Sequence, residues 1–239
     1  MRYFLFIFCT VLLISCSKST RFQLLSSGQT GIDFNNTVVE TDSFHILTYE
    51  YMYNGAGVGI GDLNNDGLQD IIFAGNRVSP RIYLNSGDFR FEDITSSFNG
   101  LTNDQWYSGV TLVDINNDRW LDVYFTSAAG SGPQQRKNRL WINEGIKERS
   151  DLVFTEMAEK YGIADDGHSI HAAFFDYDLD GDLDLYILNN IYGTNEFFNQ
   201  QIPAVYRQKI TDGSAVNNDR LYRNNGDGSF TDVTIKAGI

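Results

Sequence analysis

Two cysteines, three prolines and three histidines are all that 239 residues contain of these types. So little cysteine leaves no disulfide framework to hold a secreted fold. His45, His168 and His171 are too scattered to make a metal set. Basic residues are also short, with 18 Lys and Arg against 31 Asp and Glu and a net charge of −13. A polyanion of this kind is repelled by nucleic acid and by anionic membrane surfaces, which excludes nucleic acid as a partner. The sequence has no P-loop, nucleophile elbow, CxxC or HExxH. What is present is 22 glycines, 42% hydrophobic residues and 14% aromatics. That composition excludes disorder and predicts short strands joined by tight turns, an all-β chain long enough for a real core.

The one long apolar run, Phe4 to Ile14 after Met1-Arg2, is too short for a permanent membrane helix and has the length of a signal-peptide core. It ends in Leu13-Ile14-Ser15-Cys16, which resembles a bacterial lipobox. Residues 1–15 are therefore read as a lipoprotein signal peptide, Cys16 as the acylated N-terminus and 16–30 as a tether and lead-in segment. The alternative is an ordinary signal peptide with a chance cysteine. The small residue before Cys16 favours the lipobox. This reading places the protein outside the cytoplasm, as a bacterial outer-membrane or cell-surface lipoprotein held to the membrane by its N-terminal lipid.

Three internal segments align: 62–70, 114–122 and 176–184, with starts 52 and 62 residues apart. Each follows a small or apolar run, the first being Gly55-Ala-Gly-Val-Gly-Ile-Gly61, and each precedes a β-type run, such as Ile71-Ile-Phe73. Each unit adds a third piece (Arg81 to Asn85, Arg139 to Asn143, Arg220 to Asn224) and a fourth beginning at Phe91, Phe154 or Phe230. Asn85-Ser-Gly87, Asn143-Glu-Gly145 and Asn225-Gly226 are expected to join third to fourth as hairpins. Four short strands per unit predict β-propeller blades, at about 50–105, 106–163 and 164–239.

The aligned segments place oxygen side chains at positions 1, 3, 5 and 9 of a tight loop. Ca²⁺ takes about six to eight oxygens from carboxylates, amides and carbonyls. The expected ligands are Asp62, Asn64, Asp66 and Asp70; Asp114, Asn116, Asp118 and Asp122; and Asp176, Asp178, Asp180 and Asp184. Leu68, Trp120 and Asp182, at position 7, would contribute main-chain carbonyls. Gly67 and Gly181 at position 6 suit the sharp turn, whereas Arg119 must adopt an uncommon backbone conformation or let the loop relax. An EF-hand is rejected, because Phe73, Phe125 and Ile187 stand where its bidentate Glu would be. The plainer alternative is a set of polar turns, which three loops of identical spacing disfavour. Eleven of the 31 acidic residues lie in these loops, and three Ca²⁺ would take the charge from −13 to −7. Calcium would then replace disulfides as the staple.

These loops, the glycine-rich run and the Leu-Tyr-x-Asn and Phe-x-Asp-Val-Thr tails resemble FG-GAP/VCBS repeats. That resemblance implies calcium-bearing blades of an integrin-α-like propeller, and a seven-bladed ring of which three blades stand here. Thr30-Gly-Ile-Asp-Phe34, Tyr51-Met-Tyr-Asn-Gly-Ala-Gly57 and the lipobox together resemble secreted bacterial CRTAC-type VCBS repeat lipoproteins. The spacing from Thr95 to Asp114, applied to Thr234, puts a fourth loop near residue 253, so the chain reads as the N-terminal part of a longer protein.

Alternating strand direction sends the acidic loops to one face and the second-to-third-strand loops to the other. The latter lengthen along the chain, and the last, 191–218, holds Tyr192, Phe197, Phe198, Tyr206, Arg207 and Lys209. Such loops on a rigid scaffold could grip a protein or glycan, or pack as an amphipathic cover. The functional expectation is a non-enzymatic binding or adhesion scaffold for an extracellular protein or carbohydrate. The alternative is part of a polysaccharide lyase, which would need a cluster of basic or Tyr side chains at one face.

Overall fold

In the computed structural model, residues 21–130, 132–146, 152–189 and 218–239 are described. Cys16 with the leader, and the aromatics and cations of the long insertion, lie outside the described residues.

Three antiparallel sheets follow one another along the chain, each in simple meander order. The first contains β1 (Val58–Gly61), β2 (Asp70–Phe73), β3 (Arg81–Asn85) and β4 (Phe91–Asp93). The second contains β5 (Trp106–Val113), β6 (Asp122–Ala129), β7 (Arg139–Ile146) and β8 (Leu152–Glu156). The third contains β9 (Ser169–Phe175), β10 (Asp184–Asn189), β11 (Arg220–Asn224) and β12 (Phe230–Asp232). The chain is all-β, and the sheets stack as successive propeller blades that do not close a ring.

The period-two alternation of each strand decides which blade its side chains meet. On β6, which is buried throughout, Val123 and Phe125 pack with Ile72, Ile82 and Trp141 in the core between the first and second blades. Tyr124, between them in sequence, turns to the other side and packs with Leu140, Leu185 and Ile187 between the second and third. Each large side chain buried this way contributes roughly 1.5–3 kcal/mol.

The first strands β1, β5 and β9 lie side by side, and the glycine run explains how β1 comes so close. A Cβ on Gly57 would stand 2.8 Å from the Gly109 Cα, and one on Gly61 would stand 2.6 Å from Leu112 Cδ1. Along β5, the Thr111 hydroxyl donates to the Ala172 carbonyl at 2.9 Å, tying it to β9.

Two details differ from expectation. β7 runs on to Ile146, with a register shift between Asn143 and Ile146, so the expected turn at Asn143-Glu144-Gly145 is a bulge inside the strand. Gly145 has φ +71°, and Trp120 lies against it, 2.7 Å from where its Cβ would be. β6 likewise extends to Ala129, into the stretch from Ser127 to Lys137 that the sequence suggests as the second-to-third-strand loop of this blade. Its end is held by an added cluster: Tyr49 and Met52, from the segment before β1, pack on Trp106, Ala128 and Ala129.

Short helical turns lie between the strands, before the first of them and after the last. α1 (Ser27–Thr30) precedes the first blade, a 3-10 turn (Thr95–Ser97) follows β4, α2 (Pro133–Arg136) joins β6 to β7, α3 (Ala158–Tyr161) follows β8 and α4 (Thr234–Ala237) follows β12.

Candidate functional site

The three acidic loops join first to second strands at the same end of each blade, and their hydrogen bonds repeat. Position 1 accepts two backbone N–H groups: Asp62 from Asp66 (3.1 Å) and Gly67 (2.8 Å), Asp114 from Asp118 (3.0 Å) and Arg119 (2.8 Å), Asp176 from Asp180 (3.1 Å) and Gly181 (3.0 Å). Position 5 accepts from position 7: Asp66 from Leu68 (2.8 Å), Asp118 from Trp120 (2.9 Å) and Asp180 from Asp182 (3.0 Å). Such Asx turns curl the loop so that its oxygens face one another.

Position 9 is buried in every blade, with Asp70 at 1% exposure and Asp122 and Asp184 at 0%. Each of these carboxylates accepts the N–H of position 2 (Leu63, Ile115 or Tyr177) at 2.8–3.1 Å. Each also accepts the N–H of the asparagine ending the third strand: Asn85 (2.8 Å), Asn143 (2.7 Å) and Asn224 (2.8 Å). These asparagines donate their side-chain amides back to position 8, to the carbonyls of Gln69 (3.0 Å), Leu121 (3.2 Å) and Leu183 (3.1 Å). From the sequence alone Asn85, Asn143 and Asn224 read as hairpin-turn residues. Their recurrence at the same strand position was the signal that they belong to the loops.

The backbone is left-handed twice per loop. At position 6, φ is +87° for Gly67, +74° for Arg119 and +96° for Gly181. Arg119 therefore takes the uncommon conformation and the second loop does not relax, at a cost of about 1–2 kcal/mol relative to glycine. The Asn65 amide donates to the Arg119 carbonyl at 3.1 Å and braces that peptide from the first blade. At position 4, Asn65 and Asn117 have φ +58° and Leu179 has +63°, a requirement the sequence alone did not disclose.

Position 3 separates the third loop from the other two. Asn64 and Asn116 donate to Asp66 and Asp118, each at 2.9 Å, which relieves the crowding of oxygens. Asp178 has no proton to donate when ionised. Asp176, Asp178 and Asp184 bring carboxylate oxygens within 4.8 Å of one another. Desolvation, then Asp180 and Asp184, push the Asp178 pKa up. Burial pushes Asp122 up to about 7, against the lowering effect of the Asn143 and Ile115 N–H groups, and raises Asp70 as well. A divalent cation would reverse these shifts, and the all-oxygen donor set fits a hard one.

At the opposite ends of the strands lies a cavity of about 510 Å³. Tyr49, Tyr51, Trp106 and Ile170 supply apolar walls, and Asn54, Ser108 and Asn189 supply polar groups. The Oδ1 of Asn189 is buried and has no hydrogen-bond partner among the described residues. Its amide nitrogen donates to the Asn218 carbonyl at 2.8 Å, which fixes the orientation of the side chain.

Residues 62–125, which include the first two loops, match the FG-GAP-like repeat family. The chain is also similar to cartilage acidic protein 1. With that of Xenopus tropicalis it is 31% identical over 135 residues, 55% of this chain and 20% of that protein. With that of Mus musculus it is 29% identical over 154 residues, 63% of this chain and 23% of that protein. The Homo sapiens protein is 29% identical over 135 residues. The matched stretch thus spans about a fifth of these curated relatives.

Proposed function

We propose that this chain is a calcium-stabilised propeller scaffold that binds a protein or carbohydrate outside the cytoplasm and is held to the membrane by lipid on Cys16, not an enzyme. The observation that carries the metal reading is the loop itself, built three times with the same hydrogen bonds and a buried carboxylate at its base. Asp62, Asn64, Asp66 and Asp70, with their counterparts in the other two loops, would hold the ions. Calcium at these sites links the first strand of each blade to its second and, through Asn85, Asn143 and Asn224, to its third.

The aromatic-walled cavity on the other face supports the binding reading, because pockets of this kind take ligands by apolar contact plus a few fixed polar groups. No helix among the described residues is long and apolar enough to cross a membrane. The proposed attachment rests on the lipobox-like Leu13-Ile14-Ser15-Cys16.

Elemental analysis and thermal melting with and without EGTA test the metal. Bound calcium and a melting temperature lowered by chelation are expected. A ligand absent from the unfolded state contributes about 2.7 kcal/mol at a hundredfold excess over Kd. Unchanged melting and no calcium by analysis would reject the metal reading. Cys16→Ser should release the protein from the membrane fraction, and its retention there would reject the anchor.

A further inference from the structure

We infer that the face carrying the acidic loops is the one this protein turns to its membrane, with Phe89 and Leu179 entering the headgroup layer of zwitterionic lipid. Lipid is the partner because of the proposed acylation of Cys16, on which this rests, whereas the two side chains are singled out by their own geometry.

Both stand where the repeats otherwise place a small or polar residue. The β3–β4 and β11–β12 hairpins are built alike. The Ser86 N–H donates to the Arg90 carbonyl at 2.7 Å, and the Asn225 N–H to that of Ser229 at 3.0 Å. The N–H groups of Gly87 and Gly226 donate to Oδ1 of Asn85 and Asn224, at 2.9 and 3.0 Å. In this alignment Phe89 takes the place of Gly228, and both are left-handed, with φ +56° and +79°. Leu179 takes the place of Asn65 and Asn117, and all three are left-handed. A bulky apolar residue is poorly suited to such a backbone.

Packing does not compensate for this, since Phe89 is 68% and Leu179 87% exposed. A single exposed apolar residue is ordinary. Here strain, exposure and departure from the repeat coincide, and they do so twice. Strain that the fold does not require points to contact with something outside it. The two residues share a face, because first-to-second and third-to-fourth strand connections leave every blade at the same end. Ile146, 50% exposed at the end of β7, gives the second blade an apolar side chain there as well.

The N-terminal segment enters at this same end. α1 leads into Gly31, whose Cβ would stand 2.5 Å from the Phe91 carbonyl. Phe91 begins β4 two residues after Phe89, and its strand partner Asn85 holds the loop carboxylate Asp70. Ten residues lead from Cys16 to Ser26. Fully extended, and with α1 added, they reach at most about 45 Å. A lipid on Cys16 therefore tethers the chain beside the Phe89 hairpin. Lying on this face needs no passage of the leash across the molecule, whereas presenting the opposite face would.

The charges at the tip select the headgroup. Asp88 and Arg90, both exposed, flank Phe89. An acid and a base side by side match the ammonium and phosphate of a zwitterionic lipid. The acidic loops nearby would repel an anionic surface. Apolar tips of this size bind a bilayer weakly and reversibly, and they complement an acyl anchor as a second attachment.

Tryptophan quenching on vesicles of phosphatidylcholine with brominated acyl chains tests this in the intact acylated polypeptide. Relative to the parent, the added tryptophan of Phe89→Trp or Leu179→Trp should emit further to the blue and lose intensity to bromine. That of Gln134→Trp, on α2 at the opposite face, should do neither. The Cys16→Ser chain reads the face without the anchor. At high lipid it should float weakly with the vesicles, and Phe89→Gly combined with Leu179→Asn should lower that partition about tenfold. The same pair of substitutions should leave the melting temperature unchanged or higher. If mass spectrometry finds no lipid on Cys16, the anchor falls and flotation alone decides the face. Unquenched emission from both variants, quenching of Gln134→Trp instead, or no flotation of the Cys16→Ser chain would overturn the inference. So would a dimer in light scattering that the paired substitutions dissolve, or a blue shift that requires an added protein, because the face would then belong to a second copy or to another partner.

Discussion

The side-chain amide of Asn143 donates to the carbonyl of Leu63 at 2.9 Å, across the seam between the first and second blades. The same nitrogen donates to the Leu121 carbonyl in its own blade at 3.2 Å, and its backbone N–H holds Asp122. One buried amide thus joins two acidic loops and a third strand.

Truncation of this residue removes donors from two carbonyls at once. A buried carbonyl left unsatisfied costs about 1–3 kcal/mol. Asn143→Ala is expected to lower unfolding stability by about 2–4 kcal/mol in urea denaturation. Asn85→Ala, whose amide reaches Gln69 alone, should cost less. Equal losses at the two positions would show that the bond across the seam contributes nothing.

Leu179 is 87% exposed and has φ +63°. A leucine side chain gains nothing from that exposure, and its Cβ crowds the backbone in the left-handed region. Asn65 and Asn117 show that asparagine accepts the position. Leu179→Asn should therefore raise stability by roughly 0.5–1 kcal/mol, read as a higher melting temperature with calcium removed. A lower one would mean that the leucine has a packing partner.

Much of this architecture was legible because it repeats. Aligning Asp62, Asp114 and Asp176 located three loops, and the apolar runs beside them became β1 to β12. Position 6 was legible too, since glycine stood there twice and Arg119 marked the exception. What escaped were features whose cause is tertiary. Asp70, Asp122 and Asp184 looked like ordinary loop carboxylates, yet they are the buried bases of the loops, because third-strand N–H groups point at them. The left-handed position 4 carried no glycine to announce it. The bulge at Gly145 follows from Trp120 packing on it, a contact between loop and strand with no local signature.

His168 gives a pH dependence away from the acidic loops. It is 8% exposed, and its Nδ1 lies 2.7 Å from the Ala128 carbonyl. Burial pushes its pKa down from 6.5, and nearby Arg136 adds to this, outweighing the bond to Ala128. Protonation therefore favours the unfolded chain. The contribution of this residue is whole above its unfolded pKa of 6.5 and is lost as pH falls through the lowered folded value. His168→Asn keeps a donor for Ala128 and cannot titrate. Melting curves from pH 8 to 5 should show the wild type losing more stability on acidification than the variant. Parallel curves would assign the loss to other groups.

The three loops should also differ in calcium affinity, and the order follows from two positions. The third loop has Asp178 where the others have Asn64 and Asn116, which adds one charge and crowds carboxylates that a cation relieves. The second loop holds Arg119 at φ +74°, where glycine stands in the others. Any gain in binding there is reduced by backbone strain of about 1–2 kcal/mol. Titration calorimetry on chains with two of the three loops disabled by Asp66→Ala, Asp118→Ala or Asp180→Ala should rank the third tightest and the second weakest. Arg119→Gly should tighten the second site and raise the melting temperature in calcium, since the carbonyl that Asn65 grips is retained. Asn116→Asp should tighten it independently, by charge. If the second site proves tightest, or if Arg119→Gly destabilises the protein, strain at position 6 does not set affinity. The Asn65 brace would then hold Arg119 in its conformation more firmly than its φ suggests.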